Sequence, residues 1–306
     1  MGRYVSIAKE SEFGVFETGG TFAPMEAVES LAADQNWVIS DSIGQRARVK
    51  KSLGIWRIKG NVGELDIEPE NVGDLLTGCL GSDDIGTVGG GYYRHTISPA
   101  DTIPSYSMKI GLDSVIERRI SGILIDSIRM SFTQGERARI QATCLSGFEE
   151  TTDTPSAPSF STLQPFMFHE AEIELEGSTI TQKVYAGEVS VNNGLIDKGA
   201  LGTRYMDTIR VGLRSVSGKL SMFFTDTTEF TRFKNGTEFS LTLTYTSGSY
   251  SFKVILPKCV YKADSVAHSR PITEALVMDA SFEAFYDSDA GYEIQIQLIN
   301  KQSLAY

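Results

Sequence analysis

Very few residues of this sequence could carry out catalytic chemistry. The three histidines, His95, His169 and His268, lie far apart, and none belongs to a GxSxG or HExxH signature. The three cysteines are equally scattered and form no CxxC pair. Group transfer needs a nucleophile, a base and an orienting group together, and a metal site needs ligands at short, defined spacings. We therefore predict that the chain is not an enzyme and uses no metal or cofactor.

Two loops resemble ligand-binding loops only in part. Residues 287–293, "DSDAGYE", alternate carboxylates as calcium loops do, but they lack the full twelve-residue ligand pattern. Residues 86–93, "GTVGGGYY", are rich in glycine, but the lysine and the strand-to-helix context of a phosphate-binding loop are missing. We interpret the first as a hairpin turn and the second as a flexible loop.

Two rows of acidic residues are more informative. Successive residues of a β-strand face opposite sides, so the carboxylates at positions 64, 66 and 68 share one face, opposite Leu65 and Ile67. A second row has the same spacing around Ile173. Like charges on one sheet face are mildly destabilising, so a function would explain why they are tolerated. The candidate residues are Glu64, Asp66, Glu68, Glu172, Glu174 and Glu176.

A basic loop contrasts with the acidic chain, whose formal net charge is −11. The segment "GQRARVKKS", residues 44–52, contains Arg46, Arg48, Lys50 and Lys51. A basic loop on an acidic body is what self-complementary assembly requires. The overall charge argues against a protein that grips nucleic acid, because phosphate binding needs clustered Lys and Arg.

The elements that must position these residues occur twice. The segment "IKGNVGELDIEPENVGDLLTGCLG", residues 58–81, is matched without a gap by "LRSVSGKLSMFFTDTTEFTRFKNG", residues 213–236. The match places Gly63 on Gly218, an offset of 155 residues. Positions expected to face inward agree and those facing outward differ, as in two diverged copies of one structural unit.

Each copy predicts a strand followed by a short helix. The helices are expected at residues 71–80 and 227–233, each ended by the glycine that closes its segment. The repeat equates Leu75 with Phe230, and we expect both to anchor their helix in the core. A short helix is also expected at residues 25–33.

The remaining pattern is that of β-strands, and the repeat favours two domains within 306 residues. Each half is expected to close on a long pair of strands joined by a hairpin turn. We predict a mainly β protein with two tandem β-sandwich or open-barrel domains, each with a short flanking helix. The predicted divisions are an N-terminal arm at 1–35, a first β domain at 36–147, a linker at 148–165 and a second β domain at 166–306.

Several segments resemble the tail tube proteins of long-tailed bacteriophages, in the version with two tube-like halves in one chain. The resemblance covers most of the chain and rests on "IAKESEFG", "GNVGELDIEPENVGDLLTGCLG", "YYRHTISPADTIPSYSMKIGLD", "VSVNNGL", "VSGKLSMFFTDTTEFTRF" and "ILPKCVY". It implies a pair of sheets and a helix in each half, closing side by side into a ring whose inner wall is a continuous β-barrel. Rings would stack around a tape-measure protein, and DNA would pass through the lumen during ejection.

The resemblance also implies partners and a location. Three chains would form a homotrimeric ring with pseudo-sixfold symmetry, a ring of six chains being the alternative. The tube would contact tail terminator and baseplate or tail-tip proteins. No apolar run reaches the length of a membrane span, so we expect synthesis in the host cytoplasm, incorporation into the virion tail and no membrane binding. On this hypothesis the two acidic rows are candidates to face the lumen, where they would repel phosphates, and the basic loop is a candidate inter-ring contact.

Two other classes remain open. A carbohydrate-binding or adhesin-type β-sandwich would present aromatic residues near loops, and the pairs Tyr92–Tyr93 and Tyr245–Tyr250 are candidates. A cell-envelope hydrolase is disfavoured by the missing catalytic constellation.

Overall fold

The computed structural model describes residues 3–40, 50–113, 115–152, 154–198, 202–205, 209–266 and 276–306. Strands dominate these residues, which confirms the predicted mainly β fold. Neither of the two α-helices in the described ranges is long and apolar enough to cross a membrane. The elements are β1 (Tyr4–Lys9), β2 (Ala23–Met25), β3 (Val28–Glu29), β4 (Ala32–Asp34), β5 (Val38–Ser40), β6 (Lys50–Ser52), β7 (Arg57–Asp66), α1 (Gly73–Leu80), β8 (Gly81–Gly89), β9 (Tyr92–Pro99), β10 (Tyr106–Leu112), β11 (Ile116–Thr133), β12 (Arg139–Ser146), β13 (Phe148–Thr152), β14 (Ala171–Leu175), β15 (Ser178–Thr179), β16 (Val184–Asn192), β17 (Ser215–Phe223), α2 (Thr228–Asn235), β18 (Phe239–Ser247), β19 (Tyr250–Val266), β20 (Val277–Ala284) and β21 (Gln295–Asn300).

The same antiparallel four-stranded arrangement occurs twice. In the first copy, β3 and β4 pair with one side of β7, β7 pairs with β12, and β12 pairs with β11. In the second copy, the order is β16, β17, β20 and β19. The register also agrees, because Leu65 lies opposite Ile140 and Leu220 lies opposite Ala280. The sequence repeat is therefore a structural repeat.

The two copies join into one sheet inside the chain. Strand β16 pairs with β11 over seven residue positions, from Ser127 opposite Asn192 to Thr133 opposite Ala186. We call the result the spanning sheet; it runs in the order β3/β4, β7, β12, β11, β16, β17, β20, β19. These strands connect the two predicted domains.

A second layer covers one face of the spanning sheet, and two long strands enter both layers. The first part of β11, which has 18 residues in all, pairs with β10 and β13, and β10 continues to β1 and β2. The first part of β19, which has 17 residues in all, pairs with β18 and β21, and β18 continues to β14. Apolar residues between the layers form one hydrophobic core that includes Tyr106, Phe166 and Phe252.

A hairpin between α1 and β10 has no counterpart in the second half. The glycine-rich segment predicted as a flexible loop is instead the turn of β8 and β9, with positive φ at Gly89, Gly90 and Gly91. In the second half only residues 236–238 separate α2 from β18. Strand β9 pairs with β21, so a hairpin of the first half extends the second-layer sheet of the second half.

Two sequence predictions of secondary structure are wrong. Residues 25–33 form no helix, because their backbone pairs as the short strands β2, β3 and β4 with β1 and β7. The second closing pair is not a hairpin. Strands β20 and β21 both pair with β19, β20 at Cys259–Val266 and β21 at Ser251–Ile255, and no ladder joins these two strands to each other in the part of the chain described. The turn predicted at 287–293 is present, closed by an antiparallel bridge between Asp287 and Tyr292.

The two helices keep the 155-residue offset at both ends, and Gly81 and Gly236 follow them as predicted. Their burial differs. Leu75 is fully buried, whereas the exposed fraction of Phe230 is 38%, so the prediction that both residues are equivalent core anchors is wrong. Helix α1 is covered by β8, β9 and β1 as well as β11, but α2 packs on β19 without an inserted hairpin above it.

Candidate assembly surfaces

The spanning sheet ends in two edges that match the joint inside the chain. On β11, the residues that face β16 have β12 on their other side. On β19, Val260–Val266 pair with β20, and no other described strand lies beside them. At the opposite end, β3 and β4 pair with β7 alone in the described part of the chain, whereas β16 has a neighbour on each side. Such edges expose backbone donors and acceptors that another strand can satisfy. At Leu31 these groups are held by side chains of the same chain, because Leu31 N donates to Glu29 Oε2 at 2.8 Å and Leu31 O accepts from Arg118 Nη1 at 3.0 Å, so a pairing strand would have to displace them.

The face of the spanning sheet opposite the core carries ion pairs between neighbouring strands. Asp66 Oδ2 accepts a hydrogen bond from Arg137 at 2.5 Å, and its other oxygen lies 3.5 Å from Arg139 Nε. Across the joint inside the chain, Arg129 pairs with Glu188. Two further pairs on this face are Lys219 with Asp279, at 3.5 Å, and Lys262 with Glu283. Several positively charged side chains on this face are therefore already paired with carboxylates.

The structure places the two acidic rows in different layers. Glu64 lies in a β-bulge of β7 with φ of 53°, and Asp66 ends that strand on the ion-paired face. Glu68 follows the strand, and burial raises the pKa of its carboxyl above the usual value. The second row lies on β14 and just after it, in the second layer, where β14 pairs with β18. The side chains of Glu172 and Glu176 are exposed there.

The basic loop lies partly outside the described residues. Arg46 and Arg48 fall in the undescribed range 41–49, and the structure gives no account of the side chain of Lys50. Strand β6 pairs with β5, and Lys51 Nζ lies 5.1 Å from the ring centroid of Trp37.

The stem of this loop is apolar, which the sequence analysis missed. Trp37, Val38, Ile39 and Leu53 are all exposed, Trp37 by 49%. The run of three consecutive apolar residues in "NWVIS" was the available signal, because a half-buried strand would alternate.

A loop of the second half contacts residues 54–57, which follow the basic loop in the sequence. Trp56 N donates to Arg204 O at 2.8 Å, and Arg204 Nε donates to Gly54 O at 3.2 Å. Arg57 pairs with Asp197 at 3.2 Å. The second loop is also apolar, since Ile196, Tyr205 and Leu213 are exposed, Leu213 by 91%. We call the described residues of 35–56 and 193–214 the loop end of the molecule.

The candidate chemical groups are not gathered into a catalytic site. His95 is buried, His169 lies in a cleft beside the turn between β11 and β12, and His268 lies outside the described residues. The cysteines are buried, and burial raises the pKa of each thiol to about 12. Within the described ranges, no group of three or more His, Cys, Asp or Glu residues could hold a metal ion.

His95 instead holds the last residues of the sequence. Its Nδ1 lies 2.8 Å from Asp83 Oδ2 and its Nε2 lies 2.9 Å from the backbone oxygen of Gln302. Tyr306 is buried against the His95 ring, with centroids 4.7 Å apart, and its backbone oxygen accepts a hydrogen bond from Lys9 at 2.7 Å. We call residues 301–306 the strap.

The aromatic pairs considered for sugar binding pack within the fold. Tyr245 is 1% exposed and lies beside Phe166 and Phe252. The rings of Tyr92 and Tyr250 meet edge to face at 5.4 Å. This packing leaves no platform of stacked, exposed rings at these positions.

Comparison with known families agrees with the resemblance seen in the sequence. The family model described as "Phage tail tube protein" matches residues 2–284. Comparison with curated proteins gives no match. The family is one of structural proteins of the virion tail. Because the match covers nearly the whole chain, the protein belongs to the phage tail tube protein family.

Proposed function

We propose that the protein is the subunit of a tail tube in which chains join edge to edge into rings and the rings stack around a channel for DNA. The observation that carries this proposal is the joint between β11 and β16. It links two copies of one sheet inside the chain, and both outer ends of the spanning sheet lack the corresponding neighbour in the described part of the chain. Repeating the joint between chains would leave no open edge.

The repeat also supports the number of chains. Each chain would supply two wedges. With the six wedges that the resemblance to tail tube proteins implies, three chains would close a homotrimeric ring with pseudo-sixfold symmetry. The ring would assemble around a tape-measure protein and end at tail terminator and baseplate or tail-tip proteins. The chain would be made in the host cytoplasm, with no membrane contact of its own.

The ion-paired face of the spanning sheet would line the channel. DNA passing through must not bind, and cations already paired with carboxylates attract phosphates weakly. Glu64, Asp66 and Glu68 are our candidates for the acidic lining. Glu172, Glu174 and Glu176, in the other layer, would face the channel only if the layers were reversed.

The loop end would form the ring-to-ring contact. Arg46, Arg48, Lys50 and Lys51 supply positive charge on an acidic chain, and the stem beside them exposes apolar side chains. Charge would steer neighbouring rings together, and burial of apolar surface would supply most of the stability.

Electron microscopy of the purified protein, alone and with its tape-measure partner, tests the proposal. We expect rings or tubes with a hollow centre. A protein that stayed monomeric in both samples over a range of concentrations and salt would overturn it.

A further inference from the structure

We propose that the contact between neighbouring chains copies the register of the joint inside the chain at Val260 and Tyr261, next to the β-bulge between Tyr261 and Ala263 of β19. The edge formed by β3 and β4 of one copy would pair antiparallel with Val260–Val266 of a second copy, with Leu31 opposite Tyr261. This inference rests on the proposed ring and adds the register that closes it.

On the β19 side, Tyr261 occupies the place of Ile128. The reference points are Ile140 of β12 and Ala280 of β20, which lie opposite the equivalent residues Leu65 and Leu220. Ile128 lies opposite Ala142, two residues after Ile140. Tyr261 lies opposite Phe282 of β20, two residues beyond the equivalent Ala280. Both Ile128 and Tyr261 are buried, so they point to the same side of the sheet.

On the β3/β4 side, Leu31 occupies the place of Val191. Val191 lies opposite Val216. On this edge Val28 pairs with Gly63 and Ala32 pairs with Lys59. The same register places Leu31 opposite Gly60. Leu31 and Val191 are both buried.

A β-bulge explains why Gly60 matches Val216, one residue away from the 155-residue offset. Val62 and Leu65 are three positions apart, yet they lie opposite Ala142 and Ile140, which are two apart. Strand β17 pairs with β20 without such a shift. Val62, opposite Ala142, therefore corresponds to Gly218, opposite Phe282. Two residues earlier on each strand, Gly60 corresponds to Val216.

The proposed contact would bring together larger side chains than the joint inside the chain does. The joint inside the chain places Val216, Val191, Ile128 and Ala142 side by side. The proposed contact would place Gly60, Leu31, Tyr261 and Phe282 in that order. The two aromatic rings make this row bulkier than the row at the joint, and both rings already pack against Phe239, with the Phe282 ring over Gly218. Gly60, which has no side chain, would leave room beside Leu31.

The register can be tested by disulfide cross-linking in assembled tubes. The joint inside the chain pairs Ser127 with Asn192, and the equivalent pair between chains is Val260 with Ala32. Two variants, Ala32→Cys and Val260→Cys, are prepared separately, mixed and oxidised. Directly opposite residues have Cβ atoms close enough for a disulfide after small adjustment. The native cysteines are buried with raised pKa values, so their background reaction is low.

Two controls fix the geometry. The double variant Ser127→Cys/Asn192→Cys should form a disulfide within one chain. Its yield shows how readily a disulfide forms between directly opposite residues of this joint. Asp264→Cys, mixed with Ala32→Cys, is the displaced pair: β19 bulges between Tyr261 and Ala263, so Asp264 lies three register positions from Val260, roughly 10 Å along the strand.

We expect a cross-linked dimer from the Ala32 and Val260 variants, at least about tenfold more than from the displaced pair. The register would be overturned if tubes cross-linked better at the displaced pair. It would also be overturned if neither pair between chains cross-linked while the Ser127–Asn192 pair did. Both results would leave the ring proposal intact. If a cysteine variant fails to assemble, hydrogen exchange of the parent tubes tests the edge pairing on which the register rests: both edges must be protected relative to the free subunit, and an unprotected edge would overturn the proposed contact. A parent protein that forms no tubes contradicts the proposed function itself.

Discussion

His95 and Asp83 form a buried charged pair that holds the strap: the ring nitrogen Nδ1 lies 2.8 Å from the carboxylate, and the two side chains are 0% and 1% exposed. The other ring nitrogen faces the Gln302 carbonyl, which can only accept a hydrogen bond. Both ring nitrogens therefore face acceptors, and the doubly protonated imidazolium is the form that satisfies both.

This pair makes the stability of the strap depend on pH. Burial alone would lower the pKa of His95, but the hydrogen bonds and charge of Asp83, with the Gln302 carbonyl, raise it above its usual 6.5. A folded-state pKa above the unfolded value means that the stabilisation is complete below about 6.5 and is lost as pH rises through the folded value. We expect the free energy of unfolding to fall over that range, measured by denaturant titration at several pH values.

The variant His95→Gln isolates this contribution. Asp74 also titrates in the folded protein, because burial raises the pKa of its carboxyl to about 7. The variant keeps Asp74, so the difference between parent and variant reports His95. A difference that did not change with pH would contradict the imidazolium assignment.

The two helices should respond differently to truncation. Leu75→Ala removes a fully buried side chain and is expected to cost about 2–5 kcal/mol of unfolding free energy. Phe230→Ala removes a ring that contacts Phe224 but stays 38% exposed, so its cost should be clearly smaller. Equal costs in the isolated subunit, measured by denaturant unfolding, would show that the exposure of Phe230 is misjudged.

The acidic row on β7 is expected to matter for DNA passage. Changing Glu64 and Asp66 to Lys removes the carboxylate that Arg137 and Arg139 share, leaves Arg139 with Glu136 at 4.0 Å and adds further positive charge. Tubes should still form, and ejection of DNA from particles should slow as phosphates bind the wall. Glu172→Lys with Glu174→Lys, on β14, is the matched control and should eject normally. The opposite pattern would mean that the second row lines the channel.

The basic loop is expected to control stacking. Changing Arg46, Arg48, Lys50 and Lys51 to Glu should give folded subunits that fail to elongate, measured by light scattering and microscopy. Elongation of the parent should also slow as salt rises, because the Debye length falls from about 10 Å at 0.1 M to about 3 Å at 1 M. The same reversal at Lys234 and Lys301, exposed residues away from the loop end, should have little effect. A loop variant that polymerised like its parent would make the loop an ordinary solvated surface.

Much of the fold could be predicted because the inward-facing pattern repeats. The offset between Gly63 and Gly218 located both helices to within two residues at every end. Alternation around Leu65 and Leu220 placed these two residues at equivalent positions, but it did not reveal the β-bulge in β7, which moves the residues before the bulge by one position.

The failures have a common cause, since each depends on contacts between distant segments. The strands at 23–34 are set by pairing with β1 and β7, and their short pieces carry little periodic signal of their own. The exposure of Phe230 depends on a hairpin present only in the other half. The partners of His95, including Gln302, are 12 to 207 residues away, so no local motif announces them.

The inserted hairpin of β8 and β9 has a consequence for decoration of the tube. It belongs to one half only and lies on the second-layer sheet of the other. In a ring of three chains the hairpin would therefore be present on every second wedge, whereas the strands of the inner wall would be repeated in all six wedges. A protein that bound this hairpin from outside the tube would find three binding sites per ring. A molecule that contacted only the channel would find six similar surfaces per ring.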